Sequence, residues 1–198
     1  MANEKDLFQI KHNDLRPQKG RILISEPFMQ DIFFRRAVIL LVDHSSKGSM
    51  GFILNKRTGL HVNDFFPEFG DLPKIPIYFG GPVVANHLFF LHLLGDIIIP
   101  ESISINKNLC FDGRFDAIKQ YILDGNKAEG NVKFFLGYSG WEENQLNSEI
   151  ISNSWLVAQT KSEYMIQAND DTFWADSLKR LGSPYNAWAN YPLFPQLN

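Results

Sequence analysis

Strand-length apolar runs recur along nearly the whole chain, and they constrain its fold more than any other feature. The longest is AVILLVDHS (37–45), a continuous stretch rich in β-branched residues. A run this short seldom makes a helix, and its unbroken apolarity predicts a strand buried on both faces. SSKGS supplies turn residues. MGFILN (50–55) then returns, so the pair predicts a hairpin at the centre of a sheet. RILIS (21–25), IPIYFGG (75–81), HLFFLHLL (87–94), NVKFFLGY (131–138) and SWLVA (154–158) read as further strands. SISIN and NLCF read as short strands, and EYMIQ (163–167) as a late one.

Helix signals are fewer. HVNDFFPEF has room for one short helical turn before Pro67. Asp112 is placed to cap a helix over 113–124, with Phe115, Ile118 and Ile122 on its apolar stripe and Gly125 at its end. Residues 142–151 predict a second helix, carrying Leu146 and Ile150 four apart. Asp170 or Asp171 caps a last one, with Trp174, Leu178 and Leu181 on one face and Gly182 closing it.

Many strands, few helices and no regular βαβ alternation argue for an α+β fold. The expectation is a strongly twisted, mostly antiparallel sheet, curled toward a barrel, with helices packed outside. No repeat or long linker divides the chain. The expected organisation is an N-terminal extension (1–20), a single domain (21–182) and an irregular Pro-containing tail (183–198).

Composition bounds the chemistry. The 198 residues are 44% hydrophobic, enough for one sizeable core without staples. Cys110 is the single cysteine, so no intrachain disulfide and no Cys-pair metal or redox motif exists. The polar start MANEKDLFQIKHND lacks the apolar core of a signal peptide, and no run approaches a membrane span. A soluble cytoplasmic protein without membrane contact is therefore expected. Residues 1–60 carry a net charge of +4 and residues 61–198 one of −7. Basic residues pair only at Arg35-Arg36 and Lys56-Arg57, thin support for nucleic-acid binding.

LGYSGWEENQLNSEI (136–150) invites a nucleophile reading for Ser139. The elbow pattern G-x-S-x-G fails, because the second glycine comes one residue early at Gly140. All five His (12, 44, 61, 87 and 92) also precede the serine. The plainer expectation is a tight turn made by Gly140, with Ser139 capping the following helix. Gly80 and Gly81 follow a strand and offer amides to an anion, but Pro82 removes one donor and no phosphate-loop pattern is present. His44, His87 and His92 lack metal-ligand spacing, so no metal and no cofactor is expected. His92 reads as hydrogen-bonded structure, Cys110 as an inert buried thiol, and Trp141 and Trp155 as core.

Three ordered blocks resemble the YqgE/AlgH family of bacterial proteins: FFRRAVILLVDHSSKGSMGFILNK (33–56), GGPV (80–83) and LGYSGWEENQLNSEIISNSWL (136–156). The likeness runs from about Arg21 to Gly182. Asn144 stands where a Gly usually precedes Gln145, and Val42 where some members carry Cys, which removes any redox role through it. The resemblance implies a compact α+β domain without an established reaction. Some members are labelled transcriptional regulators through an association with alginate expression, yet no helix-turn-helix is visible here.

The expected function is a non-enzymatic binding or regulatory protein acting on a protein partner or small ligand, with no catalytic residues. Its expected surface gathers Glu26, Pro27, His44 and Asn55 near Gly80, Gly81 and Pro82 and the Ser139-Gly140-Trp141 turn. One alternative is a hydrolase or anion-binding enzyme in a His44/Ser139 cleft. The other is a regulator reading DNA through Arg35, Arg36, Lys56 and Arg57, although sequence-specific nucleic-acid binding is not expected.

Overall fold

The computed structural model describes residues 11–192. Residues 1–10 of the expected extension, and Pro195 with the rest of 193–198 in the expected tail, lie outside the described residues. The apolar runs form strands as expected: β1 (Ile22–Ser25), β2 (Val38–Ser45), β3 (Gly48–Ile53), β5 (Pro76–Phe79), β6 (Phe89–His92), β7 (Ile103–Ser104), β8 (Cys110–Phe111), β9 (Val132–Leu136) and β11 (Trp155–Ala158). The strands β4 (Arg57–His61) and β10 (Ser139–Glu142) complete the set. The helices are α1 (Phe115–Leu123), α2 (Gln145–Ile151), α3 (Ser162–Gln167) and α4 (Asp171–Leu181).

The strands divide between two sheets and close no barrel. The first has the order β10-β3-β2-β1-β11 and is antiparallel throughout. The second has the order β4-β5-β9-β6-β8-β7, with β5 and β9 running parallel. Strand alternation explains the layering, because successive side chains point to opposite faces. Ile22 and Ile24 face the core between the sheets, as do Phe52 from β3 and Phe89, Leu91, Phe111 and Phe135 from the second sheet. Leu23, Ile39 and Ile53 point the other way and pack with Leu146 and Ile150 of α2. Ile77, Phe90 and Phe134 pack with Ile118 and Ile122 of α1. The result is a helix–sheet–sheet–helix stack in which the central strands of both sheets are buried on both faces.

Aromatic contacts join the two sheets. The Phe52 ring lies 5.1 Å from Phe89, 5.3 Å from Phe111 and 5.0 Å from Phe135, centroid to centroid. Each fully buried side chain of this size contributes about 1.5–3 kcal/mol, so the cluster is a main source of cohesion. Met165, Ile166, Trp174, Leu178 and Trp188 add to the same core.

Four local expectations are corrected. EYMIQ is helix α3, not a strand; Met165 and Ile166 reach the core from a helical turn. Asp112 does not cap α1. It takes a left-handed conformation (φ 53°) and Gly113 follows at φ 128°, so the helix starts only at Phe115 after Arg114. Ser139 opens a strand, and α2 begins six residues later behind Asn144, itself left-handed (φ 61°). The tail is not wholly irregular: Tyr185–Asn190 forms a 3-10 helix that buries Trp188. Asp170, by contrast, caps α4 as expected, accepting from the Thr172 amide at 2.8 Å.

Residues from the expected extension cover a sheet edge. The Asn13 amide donates to Val157 O (2.6 Å) and accepts from Val157 N (3.0 Å), copying a strand partner along β11. Such cover blocks edge-to-edge association.

Candidate functional site

The GGPV and GYSG motifs cross each other at backbone distance. Gly80 N donates to Leu136 O (2.8 Å), and Val83 exchanges both backbone hydrogen bonds with Tyr138 (3.0 and 3.1 Å). A Cβ on Gly80 would lie 2.2 Å from Gly137 O, and one on Gly81 2.3 Å from the Tyr138 carbonyl carbon. Gly137 is left-handed (φ 68°), so it makes the turn that was expected at Gly140. Gly140 instead pairs with Met50 inside β10. Glycine is required at Gly80, Gly81 and Gly137 by proximity or positive φ. Pro82 stays exposed beside them.

Ser139 sits within this crossing and is fully buried. Its hydroxyl donates to Gly80 O at 3.1 Å. Gly80 O also accepts from Ile53 N at 2.9 Å, so it keeps a partner if the hydroxyl is lost. Ser139→Ala should therefore cost about 1 kcal/mol, the worth of one neutral hydrogen bond. A chemical denaturation curve checks this; a loss above about 3 kcal/mol would show a larger role than one hydrogen bond can fill.

The third block is held by one carboxylate. Glu149 Oε2 accepts from the indole N–H of Trp141 (2.9 Å) and of Trp155 (2.8 Å). Its Oε1 accepts from Gln145 Nε2 (2.9 Å), and Gln145 Oε1 accepts from Glu142 N (2.9 Å). Both tryptophans are buried, and their rings meet edge to face at 6.1 Å. Buried indoles need such an acceptor, which explains why Trp, Gln, Glu and Trp occur together at this spacing.

The remaining sequence-selected residues lie apart. His44 is on β2 opposite Ser49, its Nδ1 2.7 Å from the Ser49 hydroxyl. It borders a recess of about 540 Å³ with residues 12–17 and α2. Asn55 follows β3 at its other end, about 20 Å from Ser49 at strand rise. It is buried and fully engaged: its amide donates to Arg36 O (2.9 Å) and Asp170 O (3.1 Å), and its oxygen accepts from Val38 N (2.9 Å). Glu26 is half-buried and accepts from Phe28 N at 2.6 Å. Burial raises its carboxyl pKa, partly offset by that amide. Pro27 beside it is buried. His44, Glu26 and Ser139 make no hydrogen bond with one another.

The AlgH-like family model matches residues 22–186. The chain belongs to the AlgH-like family. Its curated AlgH-like relatives include a UPF0301 protein of Parabacteroides distasonis, 54% identical over 198 residues and all of both chains. Another, from Bacteroides thetaiotaomicron, is 46% identical over the full length of both. Among solved structures, the AlgH protein of Pseudomonas aeruginosa in solution matches with TM-score 0.68 and 27% identity, covering 91% of this chain and 98% of that one. A crystal structure from Corynebacterium diphtheriae shares the fold at TM-score 0.76 and 22% identity, over 96% and 100%. Two AlgH-like blocks, GGPV and the Trp-Gln-Glu-Trp segment, are thus accounted for largely by internal contacts.

Two further places matter, the first read correctly from sequence and the second missed. The first is His92, expected as hydrogen-bonded structure and fully buried on β6. Its Nε2 lies 3.1 Å from Asp112 O and 3.1 Å from Ser102 Oγ, and its Nδ1 finds no partner among the described residues. Asp112 O only accepts, so Nε2 carries the proton and no lone pair faces Ser102. That removes the base a Ser–His pair would need. Burial lowers the His92 pKa, with the Asp112 carbonyl opposing.

The second is an open groove of about 530 Å³ between Asn55–Arg57 and Asn169, Asp170 and Thr172. Arg57 is exposed at its rim, 5.8 Å from the Tyr78 ring centroid. Lys133 lies beneath the same ring, 3.6 Å from its centroid, buried and donating to Ile166 O and Ala168 O. Burial, and secondarily the Arg57 charge, hold the Lys133 pKa well below the usual lysine range. The signal was present as one lysine inside the apolar run NVKFFLGY. No group of three or more metal-ligating side chains occurs among the described residues, and no described helix is long and apolar enough to cross a membrane.

Proposed function

We propose that the chain is a non-catalytic cytoplasmic binding protein whose recognition surface is the groove bordered by Arg57 and Asn169. The observation that carries this reading is the commitment of the motif side chains to internal contacts. Ser139 donates to Gly80 O, and Glu149 bridges Trp141 and Trp155. Ser139 is hydrogen-bonded to no base, and His44 faces Ser49 instead, whereas the groove is open and lined by Asn, Lys, Arg, Asp and Thr residues. Pockets of this size suit small ligands. The test is a panel of ester, amide and phosphoester substrates beside a thermal-shift screen of metabolites. The reading expects stabilising ligands and no turnover; turnover that survives repurification and is lost in His44→Ala would overturn it.

The regulatory alternative acting on DNA finds little support in the four basic side chains. Arg36 donates to Tyr191 O (2.6 Å) and stacks on Trp174, and Lys56 donates to Phe33 O (3.0 Å) and Ile32 O (3.3 Å). Both are held against the protein, so a coherent basic face is not offered. DNA binding should be weak and steeply salt-dependent. Titration of promoter-derived and random duplexes checks this; nanomolar affinity at near-physiological salt, with discrimination between duplexes, would restore the DNA reading.

A further inference from the structure

Two basic side chains share the Tyr78 ring, and neither forms an ion pair among the described residues; the Asp170 carboxylate and Arg57 attract without forming one. Arg57 begins the edge strand β4 opposite Tyr78. Among the described residues no hydrogen bond or ion pair holds its guanidinium, which lies over the Tyr78 ring. Lys133, beneath that ring, is satisfied by two carbonyls and the ring itself. Buried cationic groups are ordinarily paired with an anion or driven toward neutrality. The charge that acts on Lys133 is that of Arg57, of the same sign. Asp170 is the acidic residue that lines the groove with Arg57, and its Oδ1 already accepts from both Thr172 N (2.8 Å) and Thr172 Oγ1 (2.5 Å).

We propose that this groove binds the oxyanion group, phosphate or carboxylate, of a small ligand, seated on the Arg57 guanidinium beside the Asn169 side chain. The proposal rests on the binding reading above and adds the ligand class. A guanidinium presents parallel N–H donors that match two oxygens of either group. The incoming charge supplies the direct ion-pair partner that Arg57 lacks among the described residues. The groove volume of about 530 Å³ admits a ligand of metabolite size. The α4 amides are not needed, because Asp170 occupies them. Asp170 itself opposes the ligand, which makes it a control with the opposite sign.

The experiment titrates the full chain with inorganic phosphate, pyrophosphate and succinate, each against sodium chloride at matched ionic strength. Calorimetry and thermal shift are the readouts. Saturable binding by at least one oxyanion, beyond the chloride effect, is expected; the phosphate and succinate arms show which group the site prefers. Arg57→Gln changes an exposed side chain and should weaken binding about tenfold or more, the scale of one lost charge-assisted contact. Asp170→Asn keeps a capping oxygen and should tighten binding. Oxyanion effects no larger than chloride, or binding unchanged in Arg57→Gln, would overturn the proposal. If the metabolite screen instead yields an uncharged ligand whose binding is lost in Asn169→Ala, the binding reading stands and the oxyanion assignment falls. Reproducible turnover would remove the binding reading itself.

Discussion

Trp155→Ala should lower stability by about 3–5 kcal/mol, the range for removing a fully buried large aromatic side chain. Trp155 is 1% exposed and opens β11 opposite Ser25. Its ring meets Trp141 edge to face at 6.1 Å and Phe34 at 5.5 Å. Alanine leaves a cavity between α2 and the first sheet that the surrounding structure fills only in part. It also removes one of two indole donors from Glu149 Oε2. A urea melt of the purified variant measures the loss. A change below about 1 kcal/mol would mean that the aromatic cluster over the first sheet contributes little.

The same cluster shows how far the sequence could be read. SWLVA was legible as a strand, and Trp155 as core, because a β-branched apolar run bounded by polar residues has few other uses. Glu149 was not legible. Its position four residues after Gln145 places both on one helix face, but only the folded sheet, with β10 paired to β3 and β11 to β1, brings two indoles to one oxygen. The two-sheet arrangement was hidden for a related reason. Ile22 and Leu23 face different layers, yet both layers are apolar, so the run shows no alternation from which to count sheets. EYMIQ was misread because a short apolar run carries the same signal in a strand and in a buried helical turn. The strand β4 was missed because Arg57, Gly59 and Leu60 are exposed along a sheet edge, where no apolar pattern is imposed.

Of the candidate surface, the glycines were readable as special and their purpose was not. Gly80 and Gly81 were weighed as an anion cradle and Gly140 as a turn. The structure gives them different work: Gly80 and Gly81 allow two backbones to touch, and Gly140 is an ordinary strand position. Arg57 and Lys133 carry the opposite lesson. An unpaired arginine is visible only once its neighbours are known, whereas a lysine amid Val132, Phe134 and Phe135 already marks an unusual burial in the sequence.

Gly80→Ala should cost at least about 3 kcal/mol, the upper range for overpacking a well-packed interior. The new methyl would stand 2.2 Å from Gly137 O and 2.8 Å from Phe52 Cδ1. Relief by a side-chain rotation is unavailable for the first contact, because the obstructing atom belongs to the backbone. That backbone cannot retreat freely either: Gly80 N is bonded to Leu136 O, and Ile53 N to Gly80 O, at 2.8 and 2.9 Å. Moving apart would break the link between the sheets at this point and release the Ser139–Gly80 hydrogen bond. Gly140→Ala is the matched control. Its Cβ would meet Tyr138 Cε2 at 3.4 Å, an ordinary contact, and its φ is not positive. Removing that glycine restricts the unfolded chain and should shift stability by no more than about 1 kcal/mol, in the stabilising direction if strand geometry is kept. Parallel urea melts of the two variants decide the matter. Equal stabilities would mean that GGPV is not a backbone crossing set by proximity.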